Sequence, residues 1–88
     1  MRLVILFQSN SEHTRQVEEY VRDFLRVEPL RHIEAVDLNS KNGAEIAKLY
    51  DVVKYPAILA LANDGQLLKD WQGPELPLMN EIAYYAHD

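Results

Sequence analysis

No cysteine occurs among the 88 residues. That absence excludes disulfides, zinc–thiolate sites, iron–sulfur clusters and every thiol mechanism together. No basic stretch occurs either: nine Lys+Arg stand against fourteen Asp+Glu, a net charge of −5. A nucleic-acid partner and an anionic membrane surface are disfavoured on that ground. Long apolar runs are also missing. The opening Leu3-Val4-Ile5-Leu6-Phe7 spans five residues, whereas a membrane-spanning helix needs about 20 and a secretory signal needs a longer core with a small-residue cleavage site. A cytoplasmic protein is expected, in keeping with the missing cysteine, because small secreted domains are usually disulfide-stapled. The histidines, His13, His32 and His87, are scattered without metal-ligand spacing. No segment offers the nucleophile, base and orienting acid of a triad. No metal, cofactor or catalytic residue is therefore expected, and the chain reads as a non-enzyme.

What is present is ordinary for a folded domain. Apolar residues make up 48% and charged residues 26%, which excludes a disordered tail. A chain of this length buries roughly 60–65% of its unfolded surface, enough for a core without much margin. Repeats, low-complexity tracts and linkers are lacking, so residues 1–88 are expected to form a single domain.

Leu3–Phe7 has the continuous apolar character of a strand buried on both faces. From about Glu12 to Val27 the period changes, with Val17, Tyr20, Val21, Phe24 and Leu25 forming one helical stripe. Ser9 and Glu12 have capping-box spacing and Ser11 is a second candidate cap; Pro29 stops the helix. Ile33–Leu38 reads as a second strand, Asn39–Gly43 as a turn-rich connection, and the segment from Ala44 to near Asp51 as a shorter amphipathic helix. Pro56 opens a third apolar run, Ala57–Ala62, and Asn63-Asp64-Gly65 is a hairpin signal because Asp-Gly accommodates positive φ. Gln66–Trp71 is its antiparallel partner. A closing helix carries Leu76, Leu78, Met79, Ile82, Ala83 and Ala86. The order β-α-β-α-β-β-α, with a right-handed crossover joining the first two strands, gives a four-stranded mixed sheet with helices on both faces.

This order resembles the minimal thioredoxin fold in its short, glutaredoxin-sized form. The segment Lys48-Leu49-Tyr50-Asp51-Val52-Val53-Lys54-Tyr55-Pro56-Ala57-Ile58-Leu59-Ala60-Leu61 is similar to the family's helix end, cis-proline loop and central strand. Asn63-Asp64-Gly65-Gln66 is similar to its hairpin, and Trp71-Gln72-Gly73 to the strand end before the last helix. The resemblance implies a cis Tyr55–Pro56 bond facing the active-site helix, and a backbone before the proline that pairs with an extended peptide. It places the family's Cys-x-x-Cys positions at Glu12, His13, Thr14 and Arg15, and the buried first-strand acid of thioredoxins near Leu6. A carboxylate at a helix N-terminus is favoured by the dipole, but it forms no mixed disulfide. Both parts of the redox apparatus are missing together, so redox activity does not carry over. Cysteine-free members of the superfamily serve as peptide-binding, scaffold or regulatory domains, some of them in circadian-clock machinery.

The resemblance therefore implies a protein or extended-peptide binding module, its contact surface the groove between Glu12, His13, Thr14, Arg15 and Tyr55-Pro56. The competing account of residues 12–15 is a plain helix start with a Glu12–Arg15 surface pair, worth only ~0.2–0.5 kcal/mol. A second functional account is a glutathione-binding remnant related to glutaredoxins or glutathione transferases. It rests on the fold and on Ser9 and Ser11 alone; Gly73-Pro74-Glu75 is only a faint echo of the glutaredoxins' acidic residue after a glycine pair. Of Tyr84 and Tyr85, one is expected to face the core and the other to be free for an interface, with Trp71 nearby. A monomer or weak homodimer is expected, since Arg31, His32 and Glu34 blunt pairing at the second strand.

Overall fold

The computed structural model describes residues 2–9, 11–29, 31–73 and 75–86; His87 and Pro74, named above, lie outside them. Seven elements follow in order: β1 (Arg2–Phe7), α1 (Thr14–Val27), β2 (Ile33–Asp37), α2 (Lys41–Leu49), β3 (Ala57–Leu61), β4 (Leu67–Gln72) and α3 (Met79–Ala86). The sheet order is β2-β1-β3-β4. β1 pairs with β2 in parallel, across the α1 crossover, and with β3 antiparallel; β3 and β4 form the antiparallel hairpin.

The continuous apolar runs occupy the two central strands because only there are both faces covered. Leu3 and Ile5 of β1 join Ile58 and Ala60 of β3 against Val17 and Phe24 of α1 and Ile82 of α3. Val4 and Leu6 point the other way and meet Ala57, Leu59 and Leu61, with Ile46 and Ala47 of α2 packed on them. Helices α1 and α3 thus cover one face and α2 the other. Leu25, assigned to the α1 stripe, lies at its rim and is 38% exposed. None of the described helices is long and apolar enough to cross a membrane.

Three local expectations need correction. First, α1 starts at Thr14 with His13 as its N-cap and no side-chain cap bond. Ser11 Oγ instead accepts from the His13 N–H at 3.3 Å, in the turn ahead of the helix. Second, Gly43 is not part of a turn. Helix α2 starts at Lys41, with Ser40 Oγ accepting from the Gly43 N–H at 3.0 Å. A Cβ on Gly43 would lie 2.1 Å from the Asp37 carbonyl oxygen, so glycine permits close approach of helix to strand. Third, the closing helix α3 starts only at Met79, so Leu76 and Leu78 lie ahead of it. The hairpin expected at Asn63-Asp64-Gly65 holds, as a three-residue loop. The Gly65 N–H donates to Ala62 O at 2.9 Å, and Gly65 takes φ +92°. Strand β4 begins at Leu67, and its register slips so that Ala60 faces Lys69 while Leu61 faces Leu67. Leu68 is the bulged residue on this edge strand.

Candidate functional site at the end of the sheet

The strand register collects the candidate residues at one end of the sheet. Phe7 faces Asp37, Leu6 faces Ala57, and Ala57 faces Gln72. The ends of β1, β2 and β4 and the start of β3 therefore coincide. Glu12 and His13 lie in the turn leaving this end, Thr14 and Arg15 open α1, and Tyr55 and Pro56 enter β3. Open α/β sheets bind ligands outside the carboxyl ends of their strands.

The Tyr55–Pro56 peptide bond is cis. Pro56 is fully buried, and its carbonyl accepts from the Gly73 N–H at 3.0 Å. Tyr55 is half-buried; its hydroxyl donates to Val52 O at 3.0 Å. Both ladders of β3 begin at Ala57, which leaves Tyr55 outside them. The loop before it is held by one side chain. Gln72 Oε1 accepts from the Val53 N–H at 2.9 Å and the Lys54 N–H at 3.2 Å, while its Nε2 donates to Asp70 Oδ2 at 2.6 Å. Val53 itself is 71% exposed beside the site.

Residues 12–15 are arranged differently from their spacing. Arg15 Nε pairs with Glu19 Oε1 at 3.2 Å, one turn further on, and not with Glu12. The Glu12 carboxylate is exposed, with Oε1 3.7 Å from His13 Nε2. Thr14 Oγ1 donates to Gln8 O at 3.3 Å. A shallow depression over the start of α1 is lined by Ser11, Glu12, Thr14 and Arg15, together with Glu18, Glu19 and Arg22. Tyr55 and Pro56 do not line it. The two parts of the candidate site share the sheet end but not that depression.

Beside them, Asp37 Oδ1 accepts from the Asn39 N–H at 2.9 Å and the Ser9 N–H at 3.4 Å. Asn39 Nδ2 donates to Ser9 Oγ at 2.8 Å, and the Ser40 hydroxyl donates to Asp37 O at 2.6 Å. The hydrogen bond from the Asn39 backbone, then that of the Ser9 side chain, holds the Asp37 carboxyl below the usual carboxylate range. Ser9 is thus a tie between the first loop and the β2–α2 turn, not a helix cap. The Asp37/Asn39 spacing is an Asx-turn signal that could have been read from sequence. The reach of Gln72 back to residues 53 and 54 has no such signal. Leu6, at the position of the family's buried acid, is fully buried and apolar. Among the described residues no group of His, Asp and Glu could hold a metal ion.

No family model and no curated protein sequence matches the chain. Solved structures do. Oxidized mitochondrial thioredoxin 3 from Saccharomyces cerevisiae superimposes with a TM-score of 0.69 at 15% identity, covering 96% of this chain and 74% of that one. A malarial protein gives a TM-score of 0.70 at 15% identity, over 94% of this chain and 89% of its own. A designed protein gives 0.68 at 16% identity, over 96% and 70%. At this level of identity the likeness concerns the path of the backbone, and what it shows is a thioredoxin-like fold carried by a chain without cysteine.

Proposed function

We propose that the chain is a redox-inactive thioredoxin-fold domain that binds a protein or an extended peptide at the sheet end formed by Glu12, His13, Thr14, Arg15, Tyr55 and Pro56. The observation that carries this reading is the position of Tyr55. Its backbone stands outside both ladders of β3, at the same end of the sheet as the start of α1, on a loop pinned by Gln72. A backbone N–H and C=O fixed at a strand's entry can pair with an extended segment as an added strand would. Preorganising that loop lowers the ordering cost of binding. With no thiol to form a mixed disulfide, the site holds a partner without exchanging electrons with it. The domain acts in the cytoplasm as a monomer or weak homodimer, without cofactor and without catalysis. The glutathione reading has less support, because the Ser9 and Ser11 hydroxyls are both engaged locally.

The test is titration of the isotopically labelled chain with a panel of unstructured peptides, followed by backbone amide shifts. Peptides that bind are expected to perturb residues 12–15 and 53–55. Perturbations confined to other faces refute the assignment, and a saturable response of the Ser9 and Ser11 amides and the Pro56 carbon resonances to glutathione supports the alternative.

A further inference from the structure

On the face covered by α1 and α3, at the β4 edge, lies a second concavity of about 370 Å³, lined by Lys69, Trp71, Glu81, Tyr84 and Tyr85. Trp71 meets Tyr85 edge-to-face, with ring centroids 5.5 Å apart and planes at 77°. Tyr84 meets Tyr85 likewise, at 5.2 Å and 82°. Tyr85 and Trp71 are partly buried against the core, so Tyr84 is braced by a fixed ring although 74% exposed. Glu81 precedes Tyr84 and Tyr85 by three and four residues, which places all three on neighbouring positions of one helical face. Among the described residues neither Glu81 nor Lys69 takes part in an ion pair. Two edge-to-face ring pairs that share Tyr85, with the exposed Glu81 carboxylate beside them, suit a bulky, weakly hydrated cation. The net charge of −5 adds long-range attraction of the same sign. Two of its lining residues, Lys69 and Trp71, belong to β4, an edge strand of the sheet, along which an extended segment can lie while one side chain enters.

We propose that this notch binds the methylated ammonium of a lysine side chain carried by an extended protein segment. Glu81 supplies the counter-charge, and Tyr84 with Trp71 the ring faces. Lys69, on the opposite wall, is a like charge that limits affinity. The site is separate from the one proposed at Tyr55-Pro56 and stands or falls independently of it.

Trp71 is the sole tryptophan, so its emission reports the notch directly. The probe is a five-residue peptide carrying trimethyl-lysine, compared with the same peptide carrying a neutral isostere in which carbon replaces the quaternary nitrogen. Saturable change in emission is expected with the charged peptide, and binding about two- to fivefold weaker with the isostere, the range for an exposed cation–π contact. Glu81→Gln and Tyr84→Leu should each weaken binding by a similar factor, while Tyr84→Phe keeps it and Lys69→Gln tightens it. Glu81, Tyr84 and Lys69 are all exposed, so these variants fold. No saturation, equal binding of the isostere, or indifference to Glu81→Gln and Tyr84→Leu overturns the proposal. Choline binding as tightly as the charged peptide overturns the assignment to a protein side chain.

Discussion

Replacing Gly43 by alanine is expected to destabilise the protein, although alanine is the better helix former by about 0.8–1 kcal/mol. The new Cβ would meet the Asp37 carbonyl oxygen at 2.1 Å, the Asp37 carbonyl carbon at 2.8 Å and Leu38 Cα at 3.0 Å. All three are backbone atoms, so no side chain can swing aside. Ordinary contact begins near 3.4 Å, so α2 must withdraw by more than an ångström from the end of β2. Overpacking of this kind costs about 1–3 kcal/mol. The withdrawal also stretches the bonds from the Gly43 N–H to Ser40 Oγ (3.0 Å) and from the Ser40 hydroxyl to Asp37 O (2.6 Å). That cap is worth about 1 kcal/mol. Set against the propensity gain, the net loss is about 1–3 kcal/mol, or roughly 5–20 °C in the melting midpoint of a domain this size. Thermal and urea unfolding measure it, and Ser40→Ala isolates the cap at a cost of about 1 kcal/mol. If Gly43→Ala is as stable as the parent, or loses no more than Ser40→Ala, the close approach of α2 to β2 is wrong.

Three further perturbations test the supports of the site and the packing of α1 near α3. Gln72→Leu removes the acceptor shared by Val53 and Lys54; their amides should exchange with solvent markedly faster, and stability should fall by about 1 kcal/mol, as measured by hydrogen exchange and urea unfolding. Tyr20 is held neutral chiefly by burial, with Glu81 adding to the upward shift of its phenol, while its hydroxyl donates to Pro77 O at 2.7 Å. A raised folded-state value means stability is complete below the unfolded value, near pH 10, and declines above it. Tyr20→Phe should therefore cost about 0.5–1.5 kcal/mol at neutral pH and flatten the alkaline decline in urea midpoints. The Asp37 carboxyl is shifted down, so its contribution is present above about pH 4 and lost on acidification. Asp37→Asn should flatten the acid limb of the same titration.

The core was legible because its signals are long. Leu3–Phe7 and Ala57–Leu61 are apolar on both faces, as only central strands are, and Val17, Tyr20, Val21 and Phe24 keep helical spacing over two turns. Terminal residues were less so. Ser9 has the chemistry of a helix cap, but its hydroxyl accepts from Asn39, 30 positions away, a pairing set by sheet register. Gly43 reads as a turn residue by composition; the close approach that requires it exists only after β2 and α2 pack. Arg15 chose Glu19 over Glu12 because the helix begins at Thr14, leaving Glu12 outside it. At the candidate site, the sequence located residues 12–15 and Tyr55-Pro56, and strand register brings both to one end of the sheet. The Gln72 clamp was invisible because it joins a strand end to a loop 18 and 19 residues away through a single amide.

Intermolecular cross-peaks between the Tyr55 backbone amide and the main chain of a bound peptide address the peptide-holding role most directly. Contacts of β-strand type at Tyr55, with neighbouring signals from residues 12–15, are the expected result. A peptide that binds tightly while leaving Tyr55 without any such contact would contradict it.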